Sequence, residues 1–238
     1  QADVLLEGFR PGTMARLGFG YEQTQAINPR LVYVSISGFG QTGPYKDRPA
    51  HDISYQAIAG LMFQRARTGN TTQPDDLAIG DLSSGMFAAL GTVSALYERA
   101  RTGLGRHIDV SMTDSVLAHT YFAMLRLNDS AHSVPRGSDL LAGGFPCYGA
   151  YRCADGRHMA VGALEGKFWK ICCEVVGRPE WVGRQWDASL RAELATLFAT
   201  RPRDEWAKLF AAVDCCVTPI LTPEEALKNE QITARSMV

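Results

Sequence analysis

The run Leu31-Val32-Tyr33-Val34-Ser35-Ile36-Ser37 constrains the fold of this chain more than any other stretch. It is β-branched and apolar without clean alternation, which is the pattern of a parallel strand covered on both faces. The residues ahead of it fit such a layer. Ala2 to Leu6 reads as a strand, Pro11 to Leu17 as a short helix with proline at its first position, and Tyr21 to Ile27 as a second helix. Together these elements predict an α/β fold.

Directly after the strand, Gly38-Phe39-Gly40-Gln41-Thr42-Gly43 matches GxGxxG, a pattern that in a dinucleotide site opens a helix. Pro44 and Pro49 argue against a helix here, so the segment reads instead as a glycine-rich loop closing over a ligand. Helical spacing returns from Asp52 to Met62, and residues 67 to 76 form a polar connection. A longer helix is expected from about Leu82 to Arg101. Met86, Phe87, Leu90, Val93, Leu96 and Tyr97 cover much of its surface, as in a helix of an interior or a subunit interface. His107 to Val110 reads as a strand, and Thr113 or Asp114 as the start of a helix through Leu127.

The second half has a different texture. Residues 128 to 146 are rich in Ser, Gly and Pro and read as a linker. Two short strands, Tyr148 to Arg152 and His158 to Ala163, flank Asp155-Gly156, a hairpin signal. Helices are expected near 166 to 177, 188 to 200 and 203 to 213, then a strand at Val217 to Leu221 and a helix start at Pro223. This half is a smaller α+β domain.

Composition adds exclusions. With 46% apolar and 21% charged residues and a formal net charge of -1, no global field favours nucleic acid, and an anionic ligand needs a local patch. The six cysteines lack CxxC spacing and read as buried thiols in a reducing cytoplasm, with no metal site. No apolar run approaches a membrane span in this reading. The chain opens at Gln1 and runs at once into the apolar Val4 to Leu6, which reads as a start inside a larger fold.

Four positions carry chemistry, each with a plain structural explanation beside the functional one. His51 lies after a Pro/Gly loop and before a helix, as a capping histidine or as a base facing a cleft. Asp81 heads the long apolar helix, as an ordinary N-cap or as a catalytic carboxylate beside free backbone N–H groups that hold an oxyanion. Glu165 opens the helix after His158 to Ala163, where the helix dipole favours any carboxylate. Arg10 and Arg16 flank Pro11-Gly12, as solvated arginines or as phosphate ligands.

Seven ordered blocks decide among these readings: ADVLLEGFRPGTMARLG, INPRLVYVSISGFGQTGPY, AHDISYQAIAGL, GDLSSGMFAALG, ERARTGLGRHIDVSM, DGRHMAVGALEGKFW and VTPILTPEEAL. The chain resembles the class III CoA-transferase family (CaiB/BaiF type), and within it the α-methylacyl-CoA racemase branch. The resemblance implies a Rossmann-like large domain over residues 1–127 lacking its N-terminal part, a linker at 128–146, a small α+β domain at 147–228, and the start of a return linker at 229–238. It implies an interlocked homodimer acting on acyl-CoA, with no prosthetic group, nucleic acid or membrane. Asp81 matches the family's catalytic aspartate, and His51 and Glu165 match the histidine and glutamate of the racemase branch. Arg16 matches an arginine that holds CoA phosphate in the family, and Arg10 and Tyr55 are expected to contact coenzyme A beside it. Glu7-Gly8-Phe9-Arg10 stands where the family usually reads ENFRPG, and Ala142 where racemases often carry aspartate.

As a racemase, the enzyme would move a proton between the two faces of a planar enolate, with His51 oriented by Glu165 on one face and Asp81 on the other. As a CoA-transferase, Asp81 would attack the acyl-CoA carbonyl and pass through aspartyl intermediates. A catalytically idle CoA-binding module is the third expectation.

Overall fold

The computed structural model describes residues 2–65, 76–121 and 140–237. The polar connection expected at 67–76 therefore lies almost wholly outside the described residues, as do most of the expected linker and residues 122–127 of the helix expected through Leu127. The chain divides into two compact units, Gln1–Ser133 and Val134–Val238.

The first unit is built on three parallel strands in the order β1 (Val4–Glu7), β2 (Val32–Ser37), β3 (His107–Ser111), with Leu6 opposite Val34 and Val34 opposite Ile108. Between β1 and β2 run α1 (Thr13–Arg16) and α2 (Tyr21–Ile27); between β2 and β3 run α3 (Asp52–Ile58), α4 (Leu61–Arg65) and α5 (Ile79–Thr102). A short α6 (Met112–Ala118) follows β3. The central strand is covered on both sides, as its composition requires, by unlike chemistry. Val32 and Val34 pack with Val110 and with Ala88 and Ala95 of α5, which stabilises the unit by about 1.5–3 kcal/mol for each buried valine. On the opposite face Tyr33 donates its hydroxyl to the Phe19 carbonyl at 3.0 Å. There His107 stacks on Tyr21 at 4.8 Å and pairs through Nε2 with Ser35 Oγ at 3.0 Å. Burial holds the His107 imidazole below its usual pKa, against the opposing charges of Asp109 and Glu7.

Four local expectations are corrected. Pro11 is not the first helical residue: Gly12, at φ 77°, is the N-cap and α1 begins at Thr13. The helix expected over 52–62 breaks at Gly60, whose φ of 77° is left-handed, and restarts as α4. The helix after β3 is capped by Ser111, whose Oγ accepts from the Asp114 amide at 3.1 Å, rather than by Thr113 or Asp114. The long helix starts three residues early, with Ala78 as N-cap, so Asp81 sits inside its first turn and is not the cap.

The orientation of α5 runs against its composition. Its buried residues are small (Gly80, Ser83, Ser84, Ala88, Ala95), and this lets the helix lie close to β2 and β3. The larger Leu82, Met86, Leu90, Val93 and Tyr97 form an outward stripe, each 55–71% exposed. By length and composition α5 is also the one described helix that reaches what a bilayer crossing requires, with 24 residues and a mean hydropathy of 1.2 over an 18-residue window. That corrects the reading that no apolar run approaches a span. Its small-residue face packs on the sheet, while its large apolar side chains stay exposed.

The second unit pairs β4 (Tyr148–Arg152), β5 (His158–Gly162) and β6 (Val217–Pro219) antiparallel in that order. The β4–β5 hairpin turns at Gly156, φ 81°. Its helices are α7 (Gly166–Val175), α8 (Leu190–Phe198), α9 (Arg203–Ala211), α10 (Pro223–Leu227) and α11 (Glu230–Ala234), with 3-10 turns at Leu140–Ala142 and Pro179–Arg184. The core is aromatic. Tyr151 stacks on Phe198 at 5.2 Å, and the indoles of Trp169 and Trp206 donate to the carbonyls of Trp181 and Phe198 at 3.1 and 2.9 Å. Five cysteines are buried and free, with burial pushing the Cys173 thiol up to about 12; Cys216 is exposed, which corrects the reading of all six as buried. Arg203, with a side chain 5% exposed, donates to both carboxylate oxygens of Glu225 at 2.7 and 2.8 Å and to the Ile220 carbonyl at 2.9 Å, fastening α9 to the capping box of α10.

Candidate active site

The strand-to-helix loop after β2 builds one wall of the site. Gly38 lies against the ring of Tyr55, where a Cβ would come within 2.7 Å, so the first glycine of GFGQTG is needed for close approach. The Gly38 carbonyl accepts from the amide and the hydroxyl of Thr113 at 3.0 and 2.8 Å, and Asp109 accepts from the Gln41 amide at 2.9 and 3.1 Å. These bonds anchor the loop to the end of β3 and the start of α6. As the prolines indicated, no helix opens there; the chain turns through Pro44 to Pro49 and enters α3 at His51.

His51 is the exposed N-cap of α3, with extended backbone (φ -127°, ψ 174°) and no side-chain bond to the helix. Its imidazole is thus not consumed by capping. It borders two recesses. The smaller, of about 240 Å³, is lined by His51, Asp52, Gln56, Met62, Asp76 and Asp81 among others. The larger, of about 500 Å³, is lined by His51, Arg10, Lys46, Arg48, Tyr55 and Ser37 among others. Of the residues expected to act, the structure brings His51 and Asp81 to one recess and His51, Arg10 and Tyr55 to the other.

Asp81 is held by a neighbour that the sequence did not reveal. The Asp52 carboxylate accepts from the backbone amides of Gly80 at 2.7 Å and Asp81 at 3.2 Å. The next amide, Leu82, is bonded to the Ala78 carbonyl at 3.0 Å. The helix start at Asp81 therefore has these donors already engaged, which corrects the expectation that they hold an enolate oxygen. Partial burial of the Asp81 carboxyl raises its pKa, the charge of Asp52 raises it further, and His51 opposes both.

Tyr55 presents its ring to the larger recess while its hydroxyl donates to the Ala50 carbonyl at 3.0 Å, so it serves as a wall more than as a donor. Lys46 and Arg48, with Arg10, give this recess three cations, and Arg48 lies over the Tyr45 ring at 3.7 Å. Among the described residues, Ser37 Oγ is buried without a hydrogen-bond partner at the same recess. Lys46, Arg48 and Ser37 were not singled out from sequence; the basic pair between two prolines was the signal available. Arg16 is exposed on α1 and donates to Thr13 Oγ1 at 2.9 Å. Glu165 belongs to the second unit, where it is the exposed N-cap of α7 and its carbonyl accepts from Phe168 and Trp169.

A mixed α/β chain with a parallel sheet, a second small antiparallel sheet and a histidine–aspartate recess beside a basic one has close counterparts. The chain belongs to CoA-transferase family III, which it matches across residues 1–238. It is 37% identical over 236 residues to the alpha-methylacyl-CoA racemase of Homo sapiens, covering 97% of this chain and 62% of that protein. It is 35% identical over 249 residues to the acetyl-CoA:oxalate CoA-transferase of Acetobacter aceti, covering 100% and 64%. A crystal structure of a CAIB/BAIF family protein from Brucella suis superposes with a TM-score of 0.82 at 27% identity, covering 99% of this chain and 65% of that one. The chain thus spans somewhat under two thirds of the length of these relatives.

Proposed function

We propose that the chain acts on acyl-CoA thioesters and racemises 2-methylacyl-CoA by 1,1-proton transfer. The observation that carries this reading is the shared recess, in which an uncommitted imidazole and a carboxyl of raised pKa line one small cavity. His51 takes the proton from the carbon next to the thioester carbonyl, leaving a planar enolate. Asp81, in its acid form, delivers a proton to the opposite face, and the reverse reaction exchanges the roles. A raised carboxyl pKa suits this duty, because it favours the protonated form that Asp81 must supply. In this reading the phosphates of the CoA thioester are held by Arg10 and Arg16, to which Lys46 and Arg48 are added. No prosthetic group is required for proton transfer of this kind.

The fold assigned to residues 1–127 is Rossmann-like and the assembly a homodimer. The outward stripe of α5 supports an assembly in which that face is covered. We place the protein in the cytoplasm, a reading supported by its free thiols.

Transfer of CoA between acids is the second reading, favoured by the relatives that carry that name. Here Asp81 would be the nucleophile, so Asp81→Asn stops both reactions, by about 10²–10⁴-fold, and does not discriminate. Solvent exchange does. The full chain, given a 2-methylacyl-CoA in deuterated water, is expected to place deuterium on the α-carbon with no acceptor acid present. Absence of exchange, with CoA movement that depends on an added acid, would overturn the racemase reading in favour of the transferase. CoA binding with no turnover of any thioester would leave only a binding module.

A further inference from the structure

The two proposed proton-transfer groups reach their recess from different helices, and one side chain joins those helices. Asp52, the first residue of α3 and next to His51, receives the amides of Gly80 and Asp81 on Oδ1, while its Oδ2 is bonded to Gln56 Nε2. Gln56, 6% exposed and one turn further along α3, donates also to the Leu77 carbonyl at 3.2 Å. The pair grips residues 77–81 at both ends of the turn that presents Asp81. Gly80 is shaped for this contact: a Cβ there would meet Asp52 Oδ1 at 2.8 Å and Val116 at 3.1 Å, so a side chain at position 80 would displace the carboxylate. Asp52 also takes the place of the missing cap, since Ala78 has no side-chain acceptor and the orphan amides of an α-helix start need one.

Resting on the proton-transfer reading above, we infer that Asp52 is a positioning residue of this site: its carboxylate fixes Asp81 relative to His51. The same carboxylate acts on Asp81 in two ways. The hydrogen bonds set where the Asp81 backbone lies, and the negative charge disfavours ionisation of the neighbouring carboxyl. Among the described residues, the titratable groups facing Asp81 are His51, Asp52 and Tyr55 from α3 and Asp76 from the segment ahead of α5. Of these, Asp52 alone bonds the amides at Gly80 and Asp81.

The test separates geometry from charge in the full chain. Asp52→Asn keeps an oxygen for the Gly80 and Asp81 amides while the charge is lost; Gln56, turned so that its Oε1 meets the new Nδ2, gives up only its bond to the Leu77 carbonyl. Removing a negative neighbour lets Asp81 ionise more readily. The ¹³C carboxyl titration of Asp81 is therefore expected to move to lower pH in Asp52→Asn than in the parent. In the racemisation assay the pH limb that follows Asp81 is expected to move the same way, with KM little changed. Asp52→Ala removes both functions and is expected to lower kcat by about 10²-fold, the cost of misplacing a reacting group by about 1 Å. An Asp81 titration that stays in place or rises in Asp52→Asn overturns the inference, as does a kcat unchanged in a folded Asp52→Ala. The titration requires no turnover. A parent protein without α-proton exchange therefore counts against the proposed reaction, while a downward shift in Asp52→Asn would still establish that Asp52 controls Asp81.

Discussion

The two units solve the same packing problem in opposite ways. Residues 134–238 close around one cluster of eighteen buried side chains, in which Trp169, Trp206 and Phe198 lose nearly all exposure. Residues 1–133 hold two clusters of five and four among their described residues, and turn the largest apolar side chains of α5 outward. The second unit draws its cohesion from its own sequence. In the first, small residues on α5 press it to the sheet, and the recess shared by His51 and Asp81 opens at the start of that helix. Cohesion and chemistry are thus assigned to different parts of the chain, in keeping with the general rule that local strain and charge at a site are offset by packing elsewhere.

The largest effect expected is in the aromatic core. Trp206→Ala should lower the stability of the second unit by about 3–5 kcal/mol, read by denaturant unfolding; a loss no larger than that of a surface substitution would remove the contrast between the units. Ala88→Leu tests the inverted face of α5. An added isopropyl group between helix and sheet should cost about 1–3 kcal/mol, whereas a helix that buried its large stripe would accept it.

A smaller effect follows from Glu225, whose carboxyl is held down to about 2, chiefly by its hydrogen bonds from Arg203. A depressed folded-state pKa contributes stability that is present above the ordinary carboxylate pKa and is lost as pH falls towards 2. The stability of the second unit should therefore decline from about pH 4.5 downward, and Glu225→Gln should flatten that part of the decline. An unchanged slope in the variant would show that the Arg203–Glu225 clamp does not hold α10. The smallest change is expected from Leu90→Lys, within about 0.5 kcal/mol in the 238-residue chain because the side chain is already exposed. In the proposed homodimer the same substitution should weaken association in sedimentation, and an unaffected dimer would exclude that stripe from the interface.

What could be read from sequence was local. The parallel strand followed from its composition, α2 from its period, and the hairpin from Asp155-Gly156, because each signal lies within a few residues. The break at Gly60 was hidden because apolar spacing continues across it. The start of α5 was set late because Ala78-Ile79-Gly80 offers no capping side chain; the acceptor is Asp52, 28 residues before Gly80. Periodicity also does not distinguish which side of an apolar helix faces the sheet, and the small residues of α5 give no signal of their own. Of the site, Asp81 and His51 became legible only through the ordered family blocks, and Asp52, Lys46 and Arg48 only in three dimensions.

In the proposed racemisation, His51 and Asp81 serve opposite faces of one enolate. The most direct measurement is α-proton exchange in deuterated water, run separately on the two enantiomers of a 2-methylacyl-CoA with the full chain and its His51→Ala and Asp81→Asn variants. Each variant should lose exchange with one enantiomer and keep it with the other, in mirror-image patterns. Variants that lose exchange with both enantiomers alike, or a parent whose exchange requires an acceptor acid, would contradict the two-base arrangement.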